Sequence, residues 1–316
     1  MLLGRTPPAS MPRALIGEVF QVADEAEIRS RIPDTLTVFR FTPNPAILVL
    51  DFPDLASQGR MLNRVAAWAE RAGPPRNRLL SDTELDSAIR ASASTPETYY
   101  LGHDYRRADL LRFFALADRD HVALRPEEDR LRRLLEQADA GPPEFGALLS
   151  LPHAGAAVDA TDRAVILRHE LSHGEYFTSA AYAGFVASVW HTVLTDRERG
   201  LFRSYLSLEG YDPGLEDLMM NEAQAYLMHT PDARFFDEKL LGIPAARLAA
   251  IRAAFRASMP PGWLRSAMDD LAWVPPRNAA RPRRRSHGRV SSNIALAARL
   301  PPRRRMASIA ACRSRR

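Results

Sequence analysis

A chain of 316 residues, 46% of them hydrophobic, has enough apolar material for one large domain, or a domain and a half, with a sizeable core. The net charge of +5 is set by the far end: residues 277–316 hold 13 arginines and no acid, which leaves the rest at −8, so the pI of 9.7 is no sign of a nucleic-acid-binding body. The one cysteine, Cys312, lies in the same tail, which excludes from the body a disulfide, a thiolate metal site and a cysteine nucleophile.

Ala, Leu, Arg and Glu dominate and strand-like runs are few, so the expected fold class is α+β, mostly helical. Residues 1–14, rich in Pro and Arg, are expected to be a disordered leader. Met1 to Ala23 has no clean apolar stretch, because Glu18 and Gln21 interrupt it. No signal peptide is therefore expected, and the protein is read as cytoplasmic, or as exported if the true start lies upstream and encodes one. No apolar run is long enough to span a bilayer.

Residues 15–140 form an N-terminal α/β region that can belong to the same domain as residues 141–275. Leu36 to Phe41 alternates apolar and polar residues, Ala46 to Phe52 is continuously apolar, and Thr42-Pro43-Asn44-Pro45 between them is strong turn chemistry, which predicts a hairpin. Helices are predicted over Asp54 to Arg71, after a capping box at Ser81 to Glu84, over Arg106 to Ala117 and over Pro126 to Ala138. The segment Tyr99 to Tyr105 is rich in polar aromatics and reads either as the lining of a cleft or as a loop with half-buried tyrosines.

Residues 141–275 are denser in chemistry. Phe145 to Leu151 suits an edge strand. Helices are predicted over Ala164 to Tyr176 (with Asp159 or Thr161 as cap), Ser179 to Leu194, Asp196 to Leu208, a stretch from Pro213 to His229 with the proline in its first turn, and Ala245 to Ala257. Order is expected to end near Pro275, and residues 276–316 are expected to be a disordered Arg-rich tail.

His169 and His173 stand four apart on a predicted helix, so they share a face one turn apart, as two ligands of one ion must. Without thiolates, imidazole and carboxylate are the donors that suit zinc. Glu170, one step round, can take a proton from a water at such a site and deliver it to a leaving amine. Ala164 to Leu167 and Leu171 make the helix apolar enough to be buried.

A catalytic zinc needs a third protein ligand. Leu215, Leu218, Met219, Glu222, Ala225, Tyr226 and His229 form one helical stripe that is otherwise largely apolar. A carboxylate there needs a balancing cation, which makes Glu222 either the third ligand or the partner of a buried arginine. His191, beside Trp190 in an apolar helix, is the rival ligand or a core histidine. The oxyanion of a hydrolytic intermediate needs a donor, and His229, Tyr226 and Tyr176 are all placed to serve.

The passage Val165 to Gly174 resembles the signature of the zincin superfamily of metallopeptidases, and Asn221-Glu222-Ala223-Gln224-Ala225 resembles the Asn-Glu-x-x-Ala segment of gluzincins, whose Glu is the third ligand. Glu175 departs from the apolar residue usual in zincins and points to a place behind the ligands. The extension with a third histidine found in metzincins is absent. The resemblance covers about residues 145–230. It implies a zincin-like catalytic domain with a small sheet over the active-site helix, one Zn2+ per chain held by His169, His173 and Glu222, and peptide-bond hydrolysis with Glu170 as general base. A peptide or protein substrate is implied too, with no nucleic acid expected for the folded body. The alternatives are a non-catalytic zinc-binding interaction protein, with His191 closing the site as a fourth ligand, and a nucleic-acid binder that works through its tail.

Overall fold

In the computed structural model, residues 18–155, 158–230 and 232–270 are described. The expectations for residues 1–14 and 276–316 lie outside them. In chain order the elements are β1 (Phe20–Ala23), α1 (Glu25–Ser30), β2 (Thr37–Phe41), β3 (Ile47–Asp51), α2 (Leu55–Ala69), α3 (Asp82–Ala91), β4 (His103–Arg106), α4 (Arg107–Arg119), α5 (Pro126–Asp139), β5 (Ala147–Leu151) and α6 (Ala160–Thr178). Then come α7 (Ala180–Thr192), α8 (Asp196–Glu209), α9 (Glu216–His229), α10 (Glu238–Leu241), α11 (Ala245–Ser258) and α12 (Trp263–Asp270). The fold is α+β and mostly helical. None of these helices is long and apolar enough to cross a membrane.

The five strands form one mixed sheet in the order β1-β2-β3-β5-β4. β2 and β3 pair antiparallel as the expected hairpin. β5 pairs parallel with β3 and antiparallel with β4. All five residues of β3 and all five of β5 are buried, which explains their unbroken apolar runs. The period of two divides them between two cores. Ile47, Val49, Leu149 and Leu151 face the cluster built on α6, while Leu48, Leu50 and Leu148 face the cluster built on α2, α4 and α5.

Phe145 to Leu151 thus holds an interior strand, in place of the expected edge. The edge is β4, four residues of His, Asp, Tyr and Arg, and a short, polar strand suits an unpaired margin. The α9 helix begins at Glu216, because Asp212, Pro213 and Gly214 are spent in a turn closed by Gly214 N donating to Asp212 Oδ1 at 3.0 Å. β1, α1, β4, α10 and α12 have no counterpart among the predicted elements. All are short, and β1 leaves Val22 71% exposed, so no periodic pattern marks it.

α6 sits between the sheet and the later helices. Asp159 caps it, accepting from Asp162 N while the Asp162 side chain returns to Asp159 N. Burial on all sides, not one stripe, is why its apolar residues show no clear amphipathic period. Arg163 anchors its first half to the sheet through two 2.9 Å bonds to both oxygens of Asp51 and further bonds to Pro152 O and Ile28 O. Gly174 permits its close approach to β3, since a Cβ there would lie 2.8 Å from Ile47 Cδ1.

Candidate metal centre

His169 and His173, one turn apart on α6, face α9, where Glu222 occupies the facing turn. His169 Nε2 stands 3.7 Å from Glu222 Oε2, and His173 Nε2 stands 3.7 Å from Glu222 Oε1. Each side chain is 1% exposed or less. Neither Glu222 oxygen has a hydrogen-bond partner within the protein. The donor set is close enough to hold a metal ion. Bond lengths of about 2.0–2.2 Å around a tetrahedral ion put its ligand atoms about 3.4 Å apart. The spacing therefore fits with a shift of a few tenths of an ångström.

Of the other ring nitrogens, that of His169 is held from behind. The Thr230 hydroxyl donates to Ala225 O at 3.0 Å, so its oxygen accepts from His169 Nδ1 at 2.8 Å. That bond fixes the tautomer of His169 and leaves the Nε2 lone pair aimed at Glu222. His173 Nδ1 faces Asp104 Oδ2 at 3.8 Å. Asp104 is steadied by Asn221 Nδ2 at 3.3 Å, and Asn221 is in turn linked to Gln224 and Ser172. Asp104, Glu170 and His173 also make a second close grouping of potential donors.

Burial holds the His169 imidazole at about 3 and, with His169 as neighbour, the His173 imidazole at about 4, so both are neutral and free to ligate. The carboxyl groups move the other way. Burial raises Glu222 to about 6, against the pull of His173 and of the nearby Tyr211 hydroxyl. Burial and then the charges of Glu222 and Glu70 push Glu170 well above the usual range. Asp104 is raised by burial and by Glu70, Glu170 and Glu222, and Glu70 by burial and Glu222. Four buried carboxyl groups thus share one neighbourhood.

Glu70 enters it from the end of α2. Asp212 N donates to Glu70 O at 2.9 Å and Ala72 N to Gly210 O at 3.2 Å, which ties residues 70–72 to 210–212 and brings Tyr211 towards Glu222. Gly102 has a different part. A Cβ there would fall 2.0 Å from Glu170 Oε1, so the backbone leading into β4 lies against the Glu170 carboxylate and only glycine leaves it room.

Tyr226 sets its ring edge-on to His169 at 4.9 Å between centroids, with its hydroxyl buried and without a hydrogen-bond partner. His229 lies behind the centre. Its Nε2 is 3.1 Å from the Tyr182 hydroxyl, which donates to Gln224 Oε1 at 2.8 Å, so Nε2 must carry the proton. Burial lowers the His229 pKa well below its ordinary value, and the ring is neutral with Nδ1 as an acceptor, unable to donate to an oxyanion. The Tyr176 hydroxyl is engaged by Asp217 at 2.8 Å.

His191 is not among the grouped donors. It is exposed on α7, because Trp190 takes the buried face and its neighbour in sequence turns outward, which corrects the expectation of a core histidine. Glu175 is bonded to Asn44 at 2.8 Å and Trp263 at 2.6 Å, a structural tie away from the ligands. Of the aromatic segment before β4, Tyr99, Tyr100 and Tyr105 are fully buried rather than half-buried, and Asp104 reaches the centre.

A cavity of about 340 Å3 opens beside the centre, lined by Glu70, Asp104, Tyr105 and Asn221 at its buried end. The arrangement offers a place for an ion, a carboxylate next to it and space for a ligand along the free edge of β4. Compared with known protein families, curated proteins and solved structures, the chain matches none.

Proposed function

We propose that the protein is a zinc-dependent metallopeptidase with His169, His173 and Glu222 as its metal ligands and Glu170 as its general base. One observation carries the reading. Two neutral imidazole nitrogens and both oxygens of a buried, otherwise unbonded carboxylate converge at 3.7 Å beside a second carboxylate. A donor set of two nitrogens and one carboxylate, without thiolate, suits a zinc site with an open position.

Zinc bound there supplies Lewis acidity towards a carbonyl and a water. The chain's own residues do the rest. Glu170, held against the Gly102 backbone, accepts the proton of the attacking water. It returns the proton to the leaving nitrogen. Thr230 keeps the His169 imidazole in register, and Asp104 stands 3.8 Å behind His173. The Tyr226 hydroxyl, kept protonated by burial and free of other bonds, is the donor for the developing oxyanion. The substrate lies extended along β4, whose outer edge is unpaired in the sheet. The non-catalytic alternative gains nothing from His191, which is exposed.

The test is metal analysis followed by turnover. Wild type is expected to hold about one zinc per chain, lost in His169→Ala and Glu222→Ala. Glu170→Gln is expected to keep the zinc while peptide hydrolysis falls by about 10²–10⁴. Zinc uptake by His169→Ala equal to wild type would sink the site, and full turnover by Glu170→Gln would remove the base.

A further inference from the structure

The centre gathers more buried carboxyl groups than one metal ion needs as ligands. Glu70, Asp104, Glu170 and Glu222 are all buried and all act on one another's charge. A dication offsets two of them. Among the described residues none of the four forms an ion pair with an arginine. Glu70 and Asp104 are the pair that also line the cavity along β4.

Two atoms in that lining point to a ligand. Glu70 Oε1 and the Tyr105 hydroxyl are buried, in residues 4% and 2% exposed; the hydroxyl is near enough to favour the charged form of Glu70, but neither atom makes a hydrogen bond of good geometry within the protein. Such groups are satisfied by something that binds. Trp68, Phe177 and Leu218 give the cavity an apolar side between its charged residues. Three arginines line the rim: Arg106 is paired with Asp217 at 2.6 Å, Arg76 with Asp212 at 3.2 Å, and Arg112 lies over the Trp68 ring; Arg76 acts on the charge of Glu70 and Arg106 on that of Asp104, but none is within ion-pair distance of either.

We propose that this cavity is a recognition pocket for a cationic nitrogen of the substrate, an ammonium or guanidinium group, with Glu70 as its counter-charge and the Tyr105 hydroxyl as a second acceptor. The proposal deepens the peptidase reading and rests on it for the word substrate. The cation has two sources in a peptide, the amino-terminus and a lysine or arginine side chain whose methylene stem would lie on the apolar wall. If Glu70 carried a proton instead of a charge, glutamine would replace it without effect, so Glu70→Gln decides between the two.

The experiment is calorimetric binding of three small probes to the full-length, zinc-loaded protein, repeated after zinc removal. N-acetyl-lysine amide carries only the side-chain ammonium, norleucine amide only the α-ammonium, and N-acetyl-norleucine amide neither. At least one cationic probe is expected to bind tenfold or more tightly than the neutral one, and which of them does so identifies the source. Glu70→Gln is expected to erase the preference. Leu218→Lys, which places an ammonium of its own in the pocket, is expected to abolish cation binding; melting curves verify that both variants are folded. Equal binding of all three probes, no binding of any, or an undiminished preference in Glu70→Gln overturns the pocket. No turnover enters this readout, so a protein that binds cations but hydrolyses nothing would refute the peptidase and spare the pocket.

Discussion

Two kinds of buried acid coexist in this protein. Asp51 and Glu128, each 0% exposed, are matched by Arg163 and Arg64 at 2.9 Å. Around the candidate metal centre, Glu70, Asp104, Glu170 and Glu222 are also buried and have no arginine ion pair among the described residues. The same fold therefore neutralises one set internally and leaves the other to be neutralised by what binds. Buried charge by itself says little about function, and the missing counter-ion is the informative part.

The largest contrast is expected when one acid of each kind is deleted in metal-free protein. Asp51→Ala leaves Arg163 charged and unpaired, and urea unfolding is expected to show a loss of about 3–5 kcal/mol. Glu170→Gln in the same metal-free state is expected to cost nothing or to stabilise, because it removes a buried carboxyl group that has no ion-pair partner. Equal destabilisation by both would erase the distinction.

A smaller effect is expected at Thr230. Thr230→Val removes the acceptor that fixes the His169 tautomer, and competition with a chelator is expected to show zinc affinity reduced by about 10–100-fold. Gly102→Ala forces a Cβ into the Glu170 carboxylate. It is expected to lower hydrolysis while zinc content stays at the wild-type level, and unchanged kcat would detach Gly102 from the base.

The mildest test is the pH dependence of metal-free stability. A carboxyl group whose pKa is raised by folding contributes stability that is complete below its ordinary value and is lost as pH rises through the folded value. For Glu222 that window runs from 4.5 to about 6, and for Glu70, Asp104 and Glu170 it extends higher. His169 and His173, whose pKa values are lowered, oppose acidification below their ordinary 6.5. The melting temperature of the chelated protein is therefore expected to fall from mildly acidic to alkaline pH, and zinc is expected to flatten the slope. A slope unaltered by zinc would mean that these carboxyl groups are not the ones titrating.

What is legible in the sequence is local. The spacing of His169 and His173, the cap at Asp159 and the stripe that carries Glu222 are properties of single helices, and all three are met in the structure. Glu70 cannot be found in this way, because at the end of a helix it looks like an ordinary solvated terminus. It is buried only because residues 210–212 cover it. The edge of the sheet escapes for a related reason. An apolar run announces burial but not on how many sides, and β5 is buried on both. His191 is misread through the same ambiguity, in a helix where nearly every neighbour is apolar.

The strand order has a consequence in time as well as in space. β5 is inserted between β3 and β4 although it is made after both. On a ribosome, β4 has no neighbour to join until residue 151 has emerged, and Glu222 comes some seventy residues later, a delay of several seconds at about 5–20 residues per second. The floor of the cleft is therefore laid down well before the third of its proposed ligands exists. The grouping of His169, His173 and Glu222 is therefore the last part of this arrangement to be completed.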